Sequence, residues 1–580
     1  MRLAWRTLSP LLWKHRRGLG VGLAALLLKD LFGALLPLAI KAGVDSLTQG
    51  FALTKLLWFT AAMLALSAVK GAFQYIMRVR VIGVSRDIEY EMRQDLFTHL
   101  MRLDAGFFAR YRTGDIMARA TNDLNAVRMM LGPGVMYWTE TSITFLLAAA
   151  IMAYVDWRLT LVALLPAPIV SLAVIWFGRQ IHMRFERIQS LFSDISSRVQ
   201  ENLAGVRVVR AYVQEESELR QFERLNQDYI RQNMKLVLTS GMFMPMLETL
   251  IGMALLIVLW VGGARLLEGK MTLGSFLMFN VYMGMLAWPM IALGWVVNLM
   301  QRGTASLERL QALRDEQPAI HSPALPKPVP AQVQQGIAFH DVTVRYGSRT
   351  ALHNLDLTIP AGATVAIVGH TGSGKSTQVQ LIPRMLDPAE GAVTLDGVDL
   401  RQFDPQALRS LIGFVPQETF LFSATLGENI AFGVPGATED QIRTAAQLAG
   451  LGPDLDGFPD GLQTVVGERG ITLSGGQKQR TAIARALLRH PAILILDDAL
   501  SSVDTVTEEA ILHNLAAIMA GRTTILISHR VSTVRLADRI FVIEDGRLAE
   551  QGTHDELVAL GGYYADLHQR QLLEEELESI

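Results

Sequence analysis

Residues Gly369-His370-Thr371-Gly372-Ser373-Gly374-Lys375-Ser376 fit the pattern G-x-x-x-x-G-K-[ST], and they follow directly on the apolar run Thr364–Val368. A glycine-rich turn between a strand and a helix lets successive backbone N–H groups face inward, and the positive end of the following helix points at whatever they enclose. Such a loop holds phosphates, with Lys375 reaching the terminal groups and the Ser376 hydroxyl available to a divalent cation. Further along, Ile493-Leu494-Ile495-Leu496-Asp497-Asp498 is an apolar strand ending in two carboxylates. A parallel sheet would deliver Asp497 beside the loop as a Mg²⁺-binding group. Between them lies Leu473-Ser474-Gly475-Gly476-Gln477, which opens a helical run over 477–488. A hydroxyl, two glycines and a free helix start make a second anion-binding arrangement. Two terminal-phosphate sites on one chain suggest that the second serves another chain's nucleotide.

The elements that must position these residues differ between the two ends of the chain. At 580 residues, with 50% hydrophobic and 19% charged residues, the chain is too long for one domain. Its composition suits a mixture of membrane-embedded and soluble parts. Net charge is −2, which gives no reason to expect a nucleic-acid partner, and the absence of cysteine excludes disulfides and thiolate metal sites. Six apolar segments long enough to cross a bilayer fall at roughly 18–42, 56–78, 133–154, 159–178, 243–264 and 273–300. The first follows Arg2, Arg6, Lys14, Arg16 and Arg17 as a signal peptide would, but its length and the lack of a small-residue cleavage site identify a retained span. Arginines recur from Arg80 to Arg128 and from Arg184 to Arg231, whereas the first, third and fifth loops are nearly free of basic residues. The positive-inside rule then places both termini and the two long loops in the cytoplasm.

Those loops keep helical apolar spacing over 86–103 and 182–235, so the spans are expected to extend as cytoplasmic hairpins. Their tips, Phe107-Phe108 to Gly114-Asp115 and Ala211-Tyr212 to Glu216, are candidate docking surfaces for another domain. Prolines at 318, 323, 326, 328 and 330 mark an extended linker. From Gly336, β-rich runs (Ala338–Val344, Thr364–Val368, Ala392–Leu395, Ile493–Leu496, Thr524–Ile527, Ile540–Ile543) alternate with helical segments. The expected fold is therefore multidomain: an all-α six-helix transmembrane domain over 1–315, a linker over 316–335, and an α/β phosphate-loop domain with a mainly parallel sheet over 336–580.

With LSGGQKQR lying between the phosphate loop and the carboxylate strand, the sequence resembles ATP-binding cassette exporters, specifically half-transporters with six spans and one cassette, over nearly its whole length. The resemblance implies ATP and Mg²⁺ as ligands, with Tyr346 stacking on adenine and Gly369 to Thr377 around the phosphates. Ser376, Asp497 and Gln417 would meet Mg²⁺, and His529 would hold the terminal phosphate. Glu468 matches the loop that touches the coupling helices, Ser501 to Asp504 the loop that crosses the dimer interface, and the two hairpin tips the coupling helices themselves. Two cassettes would close head to tail, each ATP lying under the partner's Ser474–Gln477. The family's location is the bacterial inner membrane.

One position departs from the pattern: the family's general base is a glutamate directly after the Mg²⁺ aspartate, and here it is Asp498. The shorter side chain falls about 1 Å or more short of the attacking water, and such a misplacement costs on the order of a hundredfold in rate. The chain is therefore read as the degenerate-site half of a heterodimeric exporter, similar to bacterial multidrug-type pairs, with a homodimer using a working Asp498 as the alternative. A non-transporting ATP-gated regulator or channel subunit also remains open, and an importer subunit fits the fused spans poorly. Hydrophobic or amphipathic cargo (drugs, lipids or peptides) is favoured. Lys29-Asp30, Lys70, Glu140 and Glu248, in or near spans, are candidate cavity residues. Met278 to Trp295 form a methionine- and aromatic-rich stripe on a helix that Pro289 can kink.

Overall fold

The computed structural model describes residues 2–50, 52–467, 470, 473–501, 511–513 and 516–578. Glu468 and Asp504 lie outside them, as does most of the segment 501–504. The chain divides into two compact units, Met1–Met101 with Arg112–Glu316, and Arg102–Tyr111 with Gln317–Ile580. The short segment 102–111, read from sequence as part of the membrane domain, therefore groups with the soluble one. Its helix Ala105–Arg110 is capped by Asp104, which accepts from Phe107 N at 3.2 Å and, with its other oxygen, from Ala319 N at 2.9 Å. Burial opposes ionisation of this carboxyl, but those N–H donors outweigh it and hold the pKa below the usual value.

The first unit is built of helices that outrun a bilayer. Among the described residues, five stretches are long and apolar enough to span: Arg16–Gln49, Leu53–Leu100, Thr113–Leu164, Glu215–Leu267 and Leu273–Asp315. The fourth expected span, 159–178, is not among them. The chain leaves helical geometry at Asp156 (φ −157°, ψ 99°), whose carboxylate caps Arg158 N and Leu159 N at 3.1 Å each. The run is interrupted again at Leu165-Pro166, where the backbone keeps right-handed helical dihedrals, so 159–178 covers the end of the helix Val135–Leu164 and the start of Ala167–Ala204. Pro166 has no N–H to continue the first of these and sits comfortably at the start of the second. Pro133, Pro245 and Pro289 lie inside helices, and Pro133 falls within a wider π-type turn, Met130–Gly134, which accommodates its missing donor. Helices approach closely at glycine: a Cβ on Gly303 would lie 2.3 Å from Met130 Cβ. The core of this unit gathers Met152, Leu159, Val258, Phe279, Tyr282 and Leu286.

The second unit has two sheets. In chain order the strands are β1 (Gly336–Tyr346), β2 (Arg349–Pro360), β3 (Thr364–Val368), β4 (Glu390–Leu395), β5 (Val398–Asp399), β6 (Ile412–Val415), β7 (Ile493–Asp497), β8 (Thr523–Ile527), β9 (Arg539–Glu544) and β10 (Arg547–Gly552). The larger sheet runs β10-β9-β3-β8-β7-β6, parallel from β9 to β6 with β10 antiparallel at one edge. A separate antiparallel sheet, β2-β1-β4-β5, stands beside it, and the sequence analysis did not anticipate it. Every residue of β3, β7 and β8 is buried, as expected of central parallel strands packed on both faces. The register sets the site: Ile367 pairs with Ile527, and Ile527 pairs with Asp497, so β3, β8 and β7 end level with one another. Whatever follows them emerges on one edge.

Candidate nucleotide site

Three loops leave that edge: 369–374 after β3, Asp498 after β7, and Ser528-His529 after β8. They surround a cavity of about 550 Å³ lined by Thr371, Gly372, Gly374, Lys375, Ser376, Thr377, Gln417, Asp497, Asp498 and His529, with Tyr346 at its side. The loop turns through three positive-φ glycines, Gly369 (152°), Gly372 (84°) and Gly374 (103°). A side chain at 369 or 374 would collide with backbone, since a Cβ there would lie 2.1 Å from Ile543 O or 2.8 Å from Ala351 O. Gly374 precedes the helix Lys375–Leu381, whose first N–H groups stay free for a ligand.

Lys375 curls back, donating to Gly369 O at 2.7 Å and His370 O at 2.8 Å, and is only 7% exposed. Burial lowers its pKa, against the pull of Asp497 and Asp498. Ser376 Oγ donates to Asp497 Oδ1 at 3.1 Å. Asp497 is 2% exposed, and burial raises its pKa despite the Ser376 hydrogen bond. Asp498 sits in left-handed backbone (φ 50°), a conformation aspartate tolerates better than most residues. Its N–H extends the ladder to Ile527 O at 2.9 Å, and Gln417 Nε2 lies 3.5 Å from its Oδ2. Partial enclosure lowers the His529 pKa, with the Lys375 ammonium adding to the effect, so the imidazole is neutral near pH 7.

Tyr346 ends β1 and is 52% exposed. His370 faces away from the cavity and meets the Tyr563 ring edge-on at 4.5 Å. Ser373 Oγ is buried with no hydrogen-bond partner among the described residues. The glycine cradle, this orphaned hydroxyl and the free helix start fit a polyphosphate, and the Ser376–Asp497 pair with Gln417 beside it fits a Mg²⁺ ion carried by that polyphosphate.

Ser474, Gly475, Gly476 and Gln477 do not line this cavity. Ser474 caps the helix Gly475–Leu487 in a reciprocal box: its Oγ accepts from Gln477 N at 3.2 Å, and its N–H donates to Gln477 Oε1 at 2.9 Å. Ser474 and Gly475 are exposed, so this helix start is open to another molecule.

Several supporting residues escaped the sequence reading. Asp454 accepts from Gln477 Nε2 at 2.8 Å and from Arg480 at 2.7 Å, fixing the exposed helix from beneath. Gln571, on the helix Tyr563–Glu578, donates to His529 O and accepts from Val531 N at 2.8 Å. Gly546 N donates to Ser373 O at 3.1 Å, bracing the phosphate loop from the β9–β10 hairpin. Only that last contact had a readable signal. Asp545-Gly546, both at positive φ (43° and 77°), form the two-residue turn that Asp-Gly favours between paired strands.

The family models for the ABC transporter transmembrane region and for the ABC transporter match residues 19–290 and 352–501. The chain is 38% identical over 541 residues to a probable multidrug resistance ABC transporter ATP-binding/permease protein of Bacillus subtilis, covering 93% of this chain and 92% of that one. It is 36% identical over 579 residues to a multidrug resistance-like ATP-binding protein of Escherichia coli, covering 99% and 98%. It is also 33% identical over 573 residues to an ATP-dependent lipid A-core flippase of Syntrophus aciditrophicus, covering 99% and 95%. Among solved structures, a bacterial Atm1-family ABC exporter with ATP bound superposes with a TM-score of 0.79 at 29% identity, covering 96% of this chain and 99% of that one. A domain of this kind uses ATP with Mg²⁺. Carrying a helical membrane region and an ATP-binding domain on one polypeptide, the chain belongs to the ABC transporter family and is a membrane-spanning exporter homologous to the multidrug exporters.

Proposed function

We propose that this chain is the low-turnover half of a heterodimeric exporter that moves hydrophobic or amphipathic compounds out across the bacterial inner membrane, with both termini and the nucleotide-binding domain in the cytoplasm. The observation that carries the proposal is Asp498. It occupies the general-base position, immediately after Asp497, with a side chain one methylene shorter than glutamate and its carboxylate 3.5 Å from Gln417 Nε2. A water held by so short a side chain sits out of line for attack, and about 1 Å of misplacement costs on the order of a hundredfold.

In this reading Tyr346 stacks on the adenine, and the loop from Gly369 to Thr377 wraps the phosphates. Lys375 exchanges its two backbone carbonyls for phosphate oxygens. Ser376, Asp497 and Gln417 hold Mg²⁺, which supplies neutralising charge to the phosphates. His529, neutral in its partly enclosed position, donates to the terminal phosphate. Ser474, Gly475, Gly476 and Gln477 cover the partner's ATP, and Asp504 belongs to the loop that crosses between the two cassettes. ATP binds the closed pair better than the open one, and that difference in affinity drives the outward turn of the membrane domain. The names of the relatives, multidrug resistance and lipid A-core flippase, support amphipathic cargo.

The test is Mg-ATP turnover of the chain alone against the chain co-purified with a half-transporter bearing the glutamate. The heterodimer reading expects turnover only in the pair, and Ser474→Arg in this chain to abolish it. Equal turnover by the chain alone would make it a homodimeric exporter.

A further inference from the structure

Within the membrane-spanning unit lies a polar cavity of about 240 Å³ bounded by Lys29, Asp30, Lys70, Glu140, Thr144 and Trp288. Lys29 is held between two carboxylates, 2.8 Å from Asp30 Oδ1 and 2.6 Å from Glu140 Oε1, with only 4% of its side chain exposed. Thr144 donates to the same Asp30 oxygen at 3.3 Å. The other oxygen, Asp30 Oδ2, is buried and accepts no hydrogen bond among the described residues, and the residue is only 7% exposed. Across the cavity, Lys70 lies along Gly33 and, among the described residues, forms neither an ion pair nor a hydrogen bond. Asp30 and Lys70 thus both line the cavity, and among the described residues one oxygen of the first and the ammonium of the second lack a partner.

Its formal charge is zero, two lysines against two carboxylates. In a membrane interior a ligand of net charge would leave an uncompensated ion, at a cost of several kcal/mol. A group carrying both charges satisfies Lys70 and Asp30 Oδ2 together and leaves the cavity neutral. Directly beside it, sharing Thr141 and Pro289, is an apolar hollow of about 670 Å³ lined by Phe145, Leu146 and Leu293. We propose that these two hollows form one binding site for a zwitterionic amphiphile, whose primary ammonium meets Asp30 and whose anionic group meets Lys70, with its apolar part in the second hollow.

Calling this ligand cargo rests on the exporter reading above; its binding does not. A phosphoethanolamine-headed lipid has this chemistry, and its free headgroup lacks the apolar part. The experiment is equilibrium binding to the purified full chain without nucleotide, using short-chain phosphatidylethanolamine, phosphatidylcholine, phosphatidylglycerol and free phosphoethanolamine as probes. Phosphatidylethanolamine should bind at least tenfold tighter than phosphatidylcholine, whose quaternary ammonium has no N–H for Asp30, and than phosphatidylglycerol, which is a net anion. Lys70→Gln should cost at least tenfold for phosphatidylethanolamine at an unchanged melting temperature, and Lys70→Arg should restore it. If free phosphoethanolamine binds as tightly as the lipid, the apolar hollow takes no part and the single-site proposal is overturned; tighter binding of the lipid supports it. Equal affinity for the three lipids, or indifference to Lys70→Gln, overturns the proposal and leaves the transport reading untouched.

Discussion

Replacing Asp454 by alanine probes the support of the exposed helix that opens at Ser474. Asp454 and Arg480 form an ion pair at 2.7 Å with 18% and 10% of their side chains exposed, and Arg480 Nε has no partner of its own. Removing one member of a buried pair costs about 3–5 kcal/mol, because the remaining charge is stranded. Partial exposure reduces that to roughly 2–3 kcal/mol here, and losing the Gln477 anchor adds about 1 kcal/mol. A total of about 3–4 kcal/mol corresponds to a fall of roughly 6–16 °C in the melting temperature of a domain of this size. Thermal unfolding of the purified chain measures it. Asp454→Leu with Arg480→Met removes both charges and should recover most of the loss, since apolar replacement of a whole buried pair is nearly neutral. Turnover in the pair with a competent partner should stay low in that double variant, because Gln477 is still unanchored. A single variant within 0.5 kcal/mol of wild type, or a double variant no more stable than the single, refutes the argument.

Three further outcomes follow from the geometry. Gly374→Ala forces a side chain to φ 103° against Ala351 O, so ATP affinity should fall at least tenfold by equilibrium titration, a loss of about 1.4 kcal/mol or more; unchanged affinity contradicts the cradle. Gly303→Ala places a Cβ 2.3 Å from Met130 Cβ and should destabilise the membrane unit by about 1–3 kcal/mol in a thermal melt, against no shift if those helices separate freely. Burial raises the Asp497 pKa, so its ionised form costs stability above that pKa and the cost disappears on acidification. Mg²⁺ needs the ionised form, so the Mg²⁺-dependent part of ATP affinity should weaken as pH falls through the raised pKa. Asp497→Asn should flatten that dependence, and identical pH profiles for the two proteins would count against it.

The phosphate chemistry was legible because it is written locally. Thr364–Val368 is a short apolar run that ends in glycines, and its burial in a central strand is what such a run requires. Asp497 was legible for the same reason. The antiparallel sheet was harder to read, because β1 and β2 change register between Phe339 and Val344, where Asp341 and Asn354 take positive φ. Register shifts from Phe339 to Arg345 break the period of two on which strand recognition depends. The fourth span, 159–178, begins just after the break at Asp156, but hydropathy gives no sign of the interruption at Leu165-Pro166 within it. Asp454 and Gln571 act on residues 23 and 42 positions away, through contacts that no sequence spacing encodes.

The central claim is that Asp498 leaves this chain's own site slow, and Mg-ATP turnover of the chain purified alone in lipid, with Asp498→Glu beside it, tests it most directly. The account predicts near-zero turnover for the wild type and a rise on the order of a hundredfold in the glutamate variant, the factor expected when about 1 Å of misplacement is removed. Brisk wild-type turnover, unchanged by the glutamate and abolished by Lys375→Ala, would contradict it.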